Sequence, residues 1–203
     1  VDRSLAQKNF SQKVSRAEKS AIELESAKVE RRSLRNFQQA LDEMDRDGDD
    51  EIVVNYLKAA ARDGHVEAMW RLGCNYVLGD LGKLGLEKDE KTALEMFRSA
   101  ADGGNASAQA YLGAAYEDGD LGLEKDDKAA LEMYRKAADG GDQDAQLFLG
   151  GAYEKGRLGL EKDDKAALEM YRNAADGGSA SAQFVLAVAY DLGMLGLEKD
   201  VKI

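Results

Sequence analysis

His65 and Cys74 are the chain's one histidine and one cysteine, the residue types that most often supply a base and a nucleophile near neutral pH. They stand nine positions apart in a stretch that reads as one helix. At about 100° per residue this spacing is half a turn out of phase, so the side chains point to opposite sides and cannot pair. A single residue of each type also gives no His/Cys cluster for zinc. The glycine-rich loop Gly79-Asp-Leu-Gly-Lys-Leu-Gly85 has no Lys-Ser or Lys-Thr after it, so it is not a phosphate loop. Paired carboxylates are abundant, but each pair recurs as a helix cap or a solvated face. The residues therefore point to no catalytic group, no enzyme and no cofactor. Metal chemistry remains: Asp45, Asp47 and Asp49 alternate along the chain and could offer oxygens to a hard cation.

The stretch Phe37–Ile52 resembles half of an EF-hand, with the three aspartates at the first three ligand positions and Ile52 at the hydrophobic eighth. Two departures stand against it. Asp50 replaces the glycine of the sharp turn, and Tyr56 replaces the bidentate glutamate at position twelve. A competing reading makes Asp49 and Asp50 helix caps, because they align with Asp126 and Asp127 further on, and it needs no metal.

That alignment belongs to a repeat, which is the dominant signal in the sequence. Tyr111-Leu-Gly-Ala-Ala-Tyr116 returns as Phe148-Leu-Gly-Gly-Ala-Tyr153 and as Val185-Leu-Ala-Val-Ala-Tyr190, a step of 37 residues each time. The segment LGLEKDDKAALEMYR, Leu121 to Arg135, recurs unchanged from Leu158 to Arg172. An earlier copy begins at Arg71-Leu-Gly-Cys-Asn-Tyr76, at a step of 40 because the Gly79–Gly85 loop is three residues longer. Each period suits one helix–turn–helix unit. Its first helix should run from about Asn105 to Tyr116, with Asn105, Asp142 and Ser179 as equivalent N-caps; His65 fills that place in the first copy and is expected to cap poorly. The second helix should start near Asp126 or Asp127 and end at Ala137-Ala-Asp-Gly-Gly141, where glycine can adopt the left-handed closing conformation. Ala130, Tyr134 and Ala138 should form its packing stripe.

The pattern Ala108-x-x-x-Leu-Gly113-x-x-Tyr116-x-x-Gly119, then Asp126 and Ala130, then Tyr134-Arg-Lys-Ala-Ala138-x-Gly140 resembles the Sel-one-like repeat family, a branch of the tetratricopeptide-type α-solenoids. Met133 stands where the family often has tryptophan, and Ala187 replaces the Gly113 position in the last copy. The resemblance covers roughly residues 50 to 203 and implies a scaffold or adaptor in protein complexes. Some bacterial relatives clasp each repeat with a cysteine pair, which this chain lacks. The expected fold is all-α: a right-handed α-solenoid of tetratricopeptide-like helix–turn–helix repeats with a long N-terminal helical extension. The expected division is an extension, 1–48, and a solenoid, 49–203, made of a half repeat (49–64), repeats 65–104, 105–141 and 142–178, and a partial repeat, 179–203. The half repeat is a lone second-type helix, and Asp200–Ile203 stops just inside another, so further chain or a partner subunit is expected beyond it.

Composition agrees with many short helices: 21 glycines, no proline, 44% hydrophobic and 33% charged residues. Residues 1 to 44 lack both glycine and proline and read as one helix of about 60 Å. Phe10, Val14, Ala17, Ala21 and Leu24 draw a narrow seam, and Leu34, Phe37, Leu41 and Met44 resume it after a break. This helix either folds back on the repeats or protrudes as a docking arm through Phe10, Val14 and Leu24. The net charge is −11, and residues 1–40 carry nine basic against five acidic residues (+4), leaving −15 for the remainder. An acidic body repels phosphate backbones, which argues against nucleic acid. No apolar run is long enough to span a membrane, so the chain reads as soluble or peripheral to a membrane complex.

Comparing the copies exposes the candidate surface. Leu112, Ala115 and Tyr116 keep close equivalents, as packing requires. Three neighbouring columns change instead: Trp70/Ala110/Leu147/Phe184, Arg71/Tyr111/Phe148/Val185 and Cys74/Ala114/Gly151/Val188. They lie at i, i+1 and i+4 on the first helix, the helix that lines the inner curve of such solenoids. The expected partner-binding groove is therefore Trp70, Arg71, Tyr111, Leu147, Phe148, Phe184 and Val185, with Trp70 and Phe184 as anchors; the competing reading has them packing between repeats. The function expected is a non-catalytic scaffold or adaptor whose partners are other proteins. Its alternatives are a permanent structural or linker subunit of a large assembly, including one attached to a membrane, and a calcium-modulated adaptor.

Overall fold

The computed structural model describes residues 3–46, 49–79 and 82–197, with side chains described at residue 16 and from residue 18 onward. Every regular element among these residues is helical: α1 (Arg3–Asp45), α2 (Asp50–Arg62), α3 (Val66–Leu78), α4 (Glu90–Asp102), α5 (Ala106–Asp118), α6 (Asp127–Asp139), α7 (Gln143–Lys155), α8 (Asp164–Asp176) and α9 (Ala180–Leu192). From α2 onward each helix has 13 residues, about 20 Å. Contacts divide the chain into two compact units, Val1–Ala68 and Met69–Ile203.

The helix ends in the second unit are set by the residues the repeat places there. The carboxylates of Asp89, Asp126 and Asp163 accept from first-turn amides of α4, α6 and α8. Asn105, Asp142 and Ser179 do the same for α5, α7 and α9, through Ala108, Ala145 and Ala182. First-type helices close on left-handed glycines, Gly119, Gly156 and Gly193. The following turn is unusual, because Leu121, Leu158 and Leu195 also sit in the left-handed region, at φ 56°, 55° and 54°. That backbone state is unfavourable for leucine, and burial opposes the cost: Leu158 and Leu195 are 7% and 8% exposed.

Packing within each repeat turns on one glycine and one ring. Gly73, Gly113 and Gly150 face Phe97, Tyr134 and Tyr171, and an added Cβ would sit 2.6, 2.9 and 2.5 Å from ring carbons. The bare backbone lets the two helices of a repeat approach closely, with the ring as the buried centre. Tyr134 donates its hydroxyl to Glu117 and Tyr171 donates to Glu154, at 3.0 and 2.7 Å. Burial and these carboxylates hold both phenols protonated to well above the usual pH. In the first repeat the ring is Phe97, which needs no acceptor, and Val77 stands where Glu117 would be. On α6 the buried stripe is Ala130, Tyr134 and Ala137, with Ala138 on its flank rather than in the expected central place.

In the first unit, the second half of α1 packs along α2, burying Ala40 and Ser33 against a helix whose Val53, Val54, Leu57, Ala60 and Ala61 are buried. Leu34, expected in the seam, is 54% exposed. Small residues win those positions because they allow the closer helix approach. Asp49 caps α2, accepting from the Glu51 amide. Arg32 grips Asp63 with two hydrogen bonds of 2.6 Å, which lower the Asp63 pKa and raise that of Arg32. His65 departs from expectation. Its Nδ1 accepts from the Ala68 amide at 3.3 Å and its ring stacks on Phe37 at 4.1 Å, so it caps α3 after all.

Candidate partner-binding surface

Two of the seven groove residues present large apolar surface in the second unit. Phe148 on α7 is 46% exposed and Phe184 on α9 is 70% exposed. Leu147 and Val185, beside them in sequence, are half-buried and pack against the cluster around Tyr171. Phe148 also stacks on Tyr134, with centroids 5.5 Å apart, which fixes its ring while leaving about half of it to solvent.

The other groove residues behave differently. Trp70, Phe97 and Tyr111 form an aromatic cluster, with centroids 5.3 Å (Trp70–Phe97), 4.5 Å (Phe97–Tyr111) and 5.9 Å (Trp70–Tyr111) apart. Trp70 is thus largely occupied by packing. Arg71 is half-buried, and burial pushes the Tyr111 hydroxyl's pKa up. Cys74 packs at the edge of the same cluster.

Further apolar side chains are open on and just after α9, the last helix among the described residues. Tyr190, Leu192 and Met194 are 41%, 57% and 42% exposed. Leu192 was legible in a fourth column, Leu78/Asp118/Lys155/Leu192, in which two charged residues give way to leucine in the last copy.

Of the arm residues, Leu24 is 60% exposed, whereas the side chains of Phe10 and Val14 lie outside the described residues. Asp45 ends α1 and is exposed, Asp49 serves as the α2 cap, and Asp47 lies outside the described residues. Among the described residues no group of three His, Cys, Asp or Glu side chains could hold a metal ion. None of their helices is long and apolar enough to cross a membrane.

Capped helix pairs stacked through a glycine–ring contact define a tetratricopeptide-like α-solenoid. The Sel1 repeat model matches residues 66–105, 106–142, 143–179 and 180–203, and the chain belongs to this family. A Sel1 repeat protein from Oxalobacter formigenes is similar in structure, with a TM-score of 0.71 and 32% identity over 84% of this chain and 66% of that one. The protein c5321, a protective antigen of uropathogenic Escherichia coli displaying an SLR fold, gives 0.70 and 32% over 83% of this chain and 35% of its own. Helicobacter pylori cysteine rich protein B gives 0.50 and 26%, over 66% of this chain and 96% of its own. The chain therefore spans about two thirds of the first of these proteins and about a third of the second. No curated protein matches it. Sel1 repeat proteins generally act as scaffolds for protein interactions and are typically non-catalytic.

Proposed function

We propose that this chain is a non-catalytic scaffold whose partner protein docks on the first-helix face of the Sel1 repeats, anchored at Phe148 and Phe184. One observation carries the reading: at a column that varies between copies, Phe148 is 46% exposed, while Leu149 and Ala152 of the packing columns beside it are buried. A large apolar ring held in a fixed place and left in water is costly alone and is the usual material of an interface anchor. Variation along one shared face lets each repeat meet a different part of the ligand.

The test is crosslinking and affinity capture from native extract, read by mass spectrometry. It compares the intact chain, a version lacking residues 1–44, and the double variant Phe148→Ala, Phe184→Ala. The double variant should lose the captured partners while its helical circular dichroism is retained, each truncation costing about 2 kcal/mol of binding. Partners kept by the double variant and lost only with the arm would refute the groove and favour the structural-subunit alternative.

A further inference from the structure

Among the described first-type helices, only α3 is capped by a group that changes charge near neutral pH. At the equivalent places Asn105, Asp142 and Ser179 accept from Ala108, Ala145 and Ala182 through oxygen. An amide or hydroxyl oxygen stays an acceptor whatever the pH, and a carboxyl keeps an acceptor oxygen in either protonation state. His65 instead accepts from the Ala68 amide through Nδ1, at 3.3 Å. Imidazole can do this only while neutral, because the imidazolium ion carries a hydrogen on both nitrogens. The cap of the first repeat is therefore conditional where the others are fixed.

The same ring also holds α1. It stacks on Phe37 with centroids 4.1 Å and planes 25° apart. One side chain thus joins α1, the turn after α2 and the first turn of α3, which reaches Ala68, the last residue of the first unit. The charged groups around it come from each of these pieces. Glu67 acts on the ring from α3, while Glu25 and Glu30 on α1 and Asp63 in the turn line the hollow beside it. Two of these are engaged elsewhere: Glu25 pairs with Lys28 at 3.1 Å, and Asp63 is held by Arg32. Burial outweighs the pull of Glu67 and lowers the His65 pKa, so the neutral, capping form is the one present at pH 7. Mild acid, below about pH 6, charges the ring.

We propose that His65 is an acid-operated release within the first unit, uncapping α3 and letting go of α1 in one step. A proton from solvent binds Nδ1, the nitrogen that carries no hydrogen in the capping tautomer. Nδ1 turns from acceptor to donor, the Ala68 amide loses its partner, and the charged ring leaves Phe37 for the Glu67 carboxylate. The test is nuclear magnetic resonance of the full chain, titrated from about pH 7.5 to 5. The His65 ring protons and the Ala68 amide should shift together, with one midpoint below the usual value of about 6.5. Protection of the Ala68 amide against hydrogen exchange, taken relative to its intrinsic rate at each pH, should fall about fivefold, the worth of one N-cap. Nuclear Overhauser contacts between the His65 and Phe37 rings should vanish over the same range. His65→Asn installs the cap residue of the next repeat and should hold the Ala68 protection constant throughout. A ring that titrates without moving the Ala68 amide would overturn the proposal. So would an equal acid loss of protection in His65→Asn, or ring contacts with Phe37 that survive at about pH 5.

Discussion

Replacing Gly150 by alanine ought to stabilise an ordinary helix by about 1 kcal/mol. In α7 it should do the opposite. The new Cβ would lie 2.5 and 2.6 Å from two ring carbons of Tyr171, more than 1 Å inside normal contact. The ring cannot simply move aside, because it is 4% exposed and its hydroxyl is bound to Glu154 at 2.7 Å. Overpacking of this kind costs about 1–3 kcal/mol, and a disturbed hydrogen bond to a charged acceptor adds about 1.5 kcal/mol. Against the gain in propensity, a net loss of about 2 kcal/mol is expected. Gly151, the next residue, is the internal control: its Cβ would meet nothing closer than 3.7 Å, so Gly151→Ala should stabilise by about 0.5–1 kcal/mol. Urea unfolding followed by circular dichroism separates the two variants by about 3 kcal/mol. Equal stability of the pair, or a Gly150→Ala protein firmer than the parent, would refute the close-approach argument. Tyr171→Ala in the Gly150→Ala background should make the alanine at 150 harmless.

Further outcomes are expected at the caps, the turn and the lone histidine. Asp142→Ala removes the acceptor of the Ala145 amide and should cost about 1 kcal/mol in the same unfolding assay. Leu158→Gly relieves a left-handed backbone worth about 1 kcal/mol but exposes a site where leucine is 7% exposed. Losing that side chain costs about 2 kcal/mol, so thermal melts should show a net loss near 1 kcal/mol. Burial lowers the pKa of His65 below its usual value, with Glu67 opposing more weakly. The unfolded chain therefore takes up a proton at higher pH than the folded one, and stability should fall as pH drops through and below about 6.5. Melting temperatures of the parent and His65→Gln, compared at about pH 7.5 and 5.5, should converge at the lower pH.

Much of this architecture could be read from side-chain spacing, and the misses have physical causes. The caps at Asn105, Asp126, Asp142 and Ser179 were legible because a capping oxygen is a local property of one residue and the amides after it. His65 escaped that rule because imidazole rarely caps; a stacked Phe37, distant in sequence, positions its ring to do so. The face of α1 was misjudged at Leu34 because apolar pattern favours large residues, whereas close helix packing selected Ser33 and Ala40. Trp70 looked like an interface anchor by residue type. Whether it meets a partner or Phe97 depends on a contact between helices that spacing within one helix does not encode.

The paired choice of ring and acceptor also constrains how such a chain can change in length. Tyr134 requires Glu117 and Tyr171 requires Glu154, whereas Phe97 sits with Val77. Recombination that joined the first helix of the earliest repeat to the second helix of a later one would bury a phenol beside valine, without its acceptor. The reverse junction would leave a glutamate facing a phenyl edge. In the copies at 105–141 and 142–178 the glycine, ring and acceptor match, and the second helices differ only at Lys136/Asn173. This contact therefore survives exchange between them, whereas the first copy does not share it. Insertions and deletions of repeats are therefore expected to break cleanly between whole helix pairs at this end of the array, and at any turn within the later copies.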